Sequence, residues 1–118
     1  MTDAHTPTWI PARFTIKDLA IQELSLHTMV AGVYTTDGSD LAIRITRYSK
    51  VEDVPNFNFE KNDDERQDEV TTDGITYYYT ENFGNLRVTW KDGKCLYSIS
   101  GEVTRKEIDR MVNSFYGG

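Results

Sequence analysis

Four groups of residues carry side chains suited to chemistry: Cys95, His27, the acidic run from Glu60 to Glu69, and Tyr77-Tyr78-Tyr79. A nucleophilic cysteine needs its thiol pKa lowered by a base or a helix N-terminus. Cys95 instead shares the parity of Tyr97 and Ile99 in an alternating run, so it reads as a buried, inert thiol opposite Trp90. His27, between Leu26 and Thr28 at a strand junction, reads as a surface or edge histidine. General acid–base work would require an orienting carboxylate at a telling spacing, and no acid has one. Glu60, Asp63, Asp64, Glu65, Asp68 and Glu69 would attract Ca²⁺ if they formed a ligand loop. They lack the glycine of such a loop and are interrupted by Lys61 and Arg66, so they read as a solvated connection. The sequence thus predicts no catalytic residue, no metal site and no cofactor.

The tyrosines point elsewhere. Alternation sends Tyr77 and Tyr79 inward and Tyr78 outward, where Thr89 and then Leu96 would extend it into a partner patch. If the inner face enclosed a cavity, Tyr77, Tyr79, Trp90 and Phe115 would line an apolar pocket. Three functions follow: a non-catalytic sensing or protein-interaction module, a carrier or sensor of an apolar ligand, and, ranked last, a small hydrolase using His27. The partner is then an unknown protein or small ligand.

The elements that must position these groups are read from turns and periodicity. Asp37-Gly38, Asp73-Gly74 and Asp92-Gly93 each lie between β-rich runs and suit two-residue type I′ hairpins. Pairing about Asp37-Gly38 sets Tyr34 against Leu41, Gly32 against Ile43 and Val30 against Ile45. About Asp73-Gly74, Val70 meets Tyr77 and Asp68 meets Tyr79, with the first strand short and fraying into the acidic run. About Asp92-Gly93, Trp90 faces Cys95, Val88 faces Tyr97 and Leu86 faces Ile99, all on one apolar face, with Arg87 against Ser98 and Thr89 against Leu96 on the other. A four-residue loop, Asn82 to Asn85, sets Tyr79 beside Val88 and Tyr77 beside Trp90.

Thr104-Arg105-Lys106-Glu107 has the form of a capping box, with Val103 and Ile108 as a hydrophobic staple. Ile108, Met111, Val112 and Phe115 make one helical apolar stripe, ended by Gly117. Pro7 and Pro11 bracket an extended strap carrying Trp9 and Ile10. The strap leads into a strand within 14–26 that turns Phe14, Ile16 and the stretch from Ile21 to Leu26 inward. Residues 49–69 read as a connection with a short helical turn and a mobile acidic loop at 60–69; residues 1–6 read as a polar tail. The fold class is α+β, a curved antiparallel sheet of six or seven strands with a C-terminal amphipathic helix on its inner face.

The 118 residues are one ordinary domain, 1–118. The net charge of −6 opposes nucleic-acid binding and contact with an anionic membrane, both of which call for clustered Lys and Arg. No run approaches the roughly 20 apolar residues of a membrane span. A single cysteine excludes an intrachain disulfide and fits either a reducing compartment or an exported protein.

The two ends of the chain resemble a bacterial family known as domain of unknown function 4367. The resemblance is carried by Trp90, Asp92-Gly93, Tyr97-Ser98-Ile99-Ser100-Gly101, Thr104 to Glu107 and Ser114-Phe115. The strap Pro7-Thr8-Trp9-Ile10-Pro11-Ala12-Arg13-Phe14 matches as well, with Arg13 in place of the usual Gly. Similar domains usually follow a single membrane-spanning segment, sometimes in anti-sigma-factor-like proteins, and face the outside of Gram-positive cells. The resemblance therefore implies an extracytoplasmic portion of a membrane-anchored protein, and it brings no catalytic residues.

Overall fold

The computed structural model describes residues 7–23, 27–50, 52, 54, 66–82 and 84–117. Seven strands form one antiparallel sheet: β1 (Thr15–Glu23), β2 (His27–Thr36), β3 (Ser39–Tyr48), β4 (Arg66–Thr72), β5 (Ile75–Asn82), β6 (Asn85–Asp92) and β7 (Cys95–Gly101). Among the described residues a single α-helix, α1 (Arg105–Ser114), closes one face. The strand order is β1-β2-β3-β7-β6-β5-β4, so two meanders meet where β3 pairs with β7. The seven strands and the C-terminal helix agree with the expected α+β class. The expected tail at 1–6, and Leu26 with its two preceding residues, lie outside the described residues. So do most of 51–65, including the acidic stretch before Arg66.

Two hairpin registers match the expectation. Tyr34 pairs with Leu41, Gly32 with Ile43 and Val30 with Ile45; Val70 pairs with Tyr77 and Asp68 with Tyr79. The third is displaced by two residues. Trp90 pairs with Tyr97, Val88 with Ile99, Leu86 with Gly101 and Asp92 with Cys95. The turn is therefore Gly93-Lys94, with Gly93 at φ 58 in the first turn position, where a type II′ hairpin favours glycine. A two-residue shift leaves every side chain on its original face, which is why alternation alone did not separate the two registers. Of the three Asp-Gly pairs, only Asp73-Gly74 has both residues at positive φ.

Other boundaries move too. Asn82 pairs with Asn85, so that connection is two residues long, although Tyr79 does meet Val88. β4 runs through Asp68 and Glu69 back to Arg66, so the last four residues of the expected acidic loop are strand.

The core lies between the sheet and α1. It joins Leu41, Ile43 and Ile45 of β3, Val88 and Trp90 of β6, and Tyr97 and Ile99 of β7 to Ile108, Met111, Val112 and Phe115 of the helix region. Trp90 stacks on Tyr97 with centroids 4.9 Å apart, and Phe115 meets both rings edge-on at 5.2 and 5.6 Å. Gly101 is needed at its position: a Cβ there would come within 3.0 Å of the Asp40 carbonyl oxygen and 3.2 Å of the Leu41 Cα.

The helix begins as expected. Thr104 Oγ1 accepts from the Glu107 amide at 3.1 Å, and the Glu107 carboxylate accepts from the Thr104 amide at 3.0 Å. The strap is laced to the helix end: the Thr8 amide donates to Ser114 Oγ, and Thr8 Oγ1 donates to the Ser114 carbonyl, both at 3.1 Å. Arg110 lies over the Trp9 ring at 4.3 Å. Arg13 pairs with the Glu107 carboxylate, so the strap also touches the capping box.

β1 departs most from expectation. Phe14 is buried, but Ile16 and Ile21 are 60% and 67% exposed, and all nine β1 residues are exposed. A ten-residue helix is about 15 Å long, whereas seven strands at about 4.8 Å spacing span about 29 Å. α1 packs over the core face from β3 to β5; farther along the same face β2 is half-buried and β1 is exposed.

Candidate functional site

Most residues with chemical potential are used by the fold. Cys95 opens β7 and is fully buried, as expected, but its cross-strand neighbours are Asp92 and Arg47 and not Trp90. His27 opens β2 and pairs with Tyr48, the two rings 5.2 Å apart. Among the described residues there is no group of three or more His, Cys, Asp or Glu placed to hold a metal.

Asp68, from the acidic run, makes an ion pair with Arg105 at 3.2 Å and so ties β4 to the start of α1. Arg105 also meets Asp109 at 3.2 Å and lies over the Tyr79 ring at 3.5 Å. The Tyr79 hydroxyl donates to Asp109 at 2.8 Å. Burial first, and the Asp109 carboxylate second, hold its phenol well above the ordinary tyrosine range.

The four residues expected around an apolar pocket are all buried in one core cluster, in which Tyr77 and Phe115 pack on Trp90 while Tyr79 meets Arg105 and Asp109. Trp90 is fully buried, with Tyr77 at 5.4 Å on one side and Phe115 edge-on. The Trp90 indole N–H donates to the Tyr116 hydroxyl at 3.0 Å, which donates in turn to Asp92 at 3.0 Å. Tyr77 and Tyr79 also border an open groove with Val112 and Asn113, outside that ring cluster.

The expected outer patch is rearranged. Tyr78 does pair with Thr89, but Thr89 then meets Ser98, and Leu96 lies in the next row opposite Lys91. The two-residue shift of the β6–β7 register is the reason. Tyr78, Thr89 and Leu96 are each half-buried and do not form one continuous row.

Two surfaces remain. The first is the exposed face of β1, next to half-buried β2. There Ile16, Leu19 and Ile21 are 59–67% exposed, beside half-buried Val30 and Tyr34. A shallow hollow of about 190 Å³ opens there between Leu19, Val30, Tyr34, Ile43 and Ile45, with Pro7 of the strap also in its lining. β1 is an edge strand, so one row of its backbone N–H and C=O groups is also unpaired by the sheet. Lys17, Asp18 and Glu23 bracket the apolar centre Leu19-Ala20-Ile21.

The second surface is the opposite, outer face of the central strands. Arg44, Arg87, Thr89, Ser98 and Ser100, with Ala42, border a polar hollow of about 260 Å³. Reading the residues along the chain singled out neither arginine. They come together only because β3 and β6 flank β7, a neighbourhood that no hairpin encodes.

A family model described as a domain of unknown function (DUF4367) matches residues 4–115. No curated protein matches the chain. The residues that carry the resemblance have structural work: Trp90, Tyr97 and Ile99 fill the core, Gly101 admits the Leu41 backbone, Thr104 and Glu107 cap α1, and Ser114 holds the strap.

Proposed function

The chain belongs to the domain of unknown function 4367 family, and on that footing we propose that it is a non-catalytic sensing or protein-interaction module, the extracytoplasmic part of a membrane-anchored bacterial protein. The supporting observation is the β1 edge, where three large apolar side chains are 59–67% exposed beside an unpaired backbone row. A partner adding a strand there gains main-chain hydrogen bonds and covers Leu19 and Ile21 at once. The charges at both ends of β1 favour one register and oppose indiscriminate edge pairing. An extracytoplasmic position rests on the resemblance; no helix among the described residues is long and apolar enough to cross a membrane.

The experiment compares full-length wild type with Leu19→Lys/Ile21→Lys in the native envelope. Both side chains are exposed, so the double variant keeps its melting temperature and loses its co-purifying partner. An unchanged set of partners contradicts the reading. Protease added to intact cells should reach the domain, and protection would contradict its placement outside. Wild type and His27→Ala should behave alike in a broad hydrolase screen, and a His27-dependent turnover would return the protein to the enzymes.

A further inference from the structure

The outer hollow has the chemistry of an oxyanion site. Arg44 on β3 pairs with Ser98 on β7, and Ser98 in turn pairs with Thr89 on β6. One row away, Arg87 on β6 pairs with Ser100, which pairs with Ala42 on β3. The two arginines therefore stand diagonally across β7, their backbones about 10 Å apart in the hydrogen-bonding direction. That span is within reach of two guanidinium groups closing on one ligand. Between them are only short side chains, and these form the floor of the hollow.

The charge pattern is specific to this spot. The chain carries 19 carboxylates against 13 Lys and Arg. Elsewhere Arg13, Lys17 and Arg105 pair with Glu107, Asp40 and Asp68. Among the described residues no carboxylate borders the hollow, and none makes an ion pair with Arg44 or Arg87. The cross-strand positions flanking the two arginines are Ala31, Ser98, Ser100 and Thr80, none of them acidic.

We propose that Arg44 and Arg87, with the hydroxyls of Thr89, Ser98 and Ser100, bind a phosphate-class oxyanion carried by a small ligand. Two guanidinium forks and three hydroxyls supply donors from several directions. A carboxylate, with two coplanar oxygens, leaves part of that set unused; a tetrahedral group with three or four oxygens can engage both forks and the floor. The site is independent of the β1 edge and stands or falls without it.

The test is a titration of the full chain with inorganic phosphate, sulfate and acetate, followed by amide chemical shifts and calorimetry. Saturable shifts at Ser98 and Ser100 are expected with phosphate, with sulfate similar and acetate weaker. Arg44→Gln or Arg87→Gln should weaken binding about tenfold or more, the scale of one lost charged hydrogen bond. Ser100→Glu keeps both arginines but puts a like charge on the floor, and should abolish binding. All three sites are on the surface, and an unchanged melting curve confirms that the variants fold. Shifts that do not saturate, acetate binding as tightly as phosphate, or affinity unchanged in the arginine variants would each overturn the proposal.

Discussion

Glu107 joins three segments of the protein through one carboxylate. It accepts from the Thr104 amide and pairs with Arg13 of the strap, while its own amide donates to Thr104. Arg13 first, with the Thr104 contacts behind it, holds this carboxyl down at about 2 against an ordinary 4.5. A depressed folded-state pKa stabilises the native state fully above 4.5, and that contribution is lost as pH falls toward 2. Glu107→Gln should therefore lower the melting temperature at neutral pH and narrow its gap to wild type as pH drops through this window. A constant gap from pH 7 to 2 would show that the carboxylate is not coupled to Arg13. The capping box was legible because its residues are consecutive, whereas the Arg13 contact was not, since 94 positions separate the partners. Cys95 shows the same division: parity alone buried it, but its actual neighbours depended on the turn.

Among elements, the helix and β7 carry the most specific expectations. Thr104→Ala removes the N-cap and should cost about 1 kcal/mol in denaturant unfolding; an unchanged midpoint would place the helix start elsewhere. Gly101→Ala drives a methyl against the Asp40 carbonyl and the Leu41 backbone, and should cost roughly 1–3 kcal/mol. A neutral result would mean that β3 gives way freely. Hairpin register was readable where the Asp-Gly pair is the turn itself, as at Asp37-Gly38. It failed at Gly93-Lys94 because glycine serves the first turn position there as well as it would the second. The inward reading of Ile16 and Ile21 failed for a reason of length. Ile16 and Ile21 have opposite parity and share a face only through the register shift between Ile16 and Asp18, and a ten-residue helix is too short to cover that face across seven strands.

At the scale of the molecule, one side of the sheet is half closed and the other is open. The strap and α1 are fastened to each other through Thr8, Arg13, Ser114 and Glu107, so both ends of the chain close the same side. What remains bare is the β1 edge on that side and the arginine hollow on the opposite one. Neither was visible along the chain, because the first depends on where the helix stops and the second on β3 lying beside β7. The residues of the family resemblance hold the fold together, and the surfaces free to bind are built from other positions. A contact role for β1 in the assembled protein therefore carries the proposed function. Its most direct test places a photoreactive residue at position 19 of the full-length protein in living cells, with position 106, also exposed, as control. A discrete crosslinked species is expected from position 19, and it should disappear in an Ile21→Lys background. No adduct above the level seen from position 106 would contradict it.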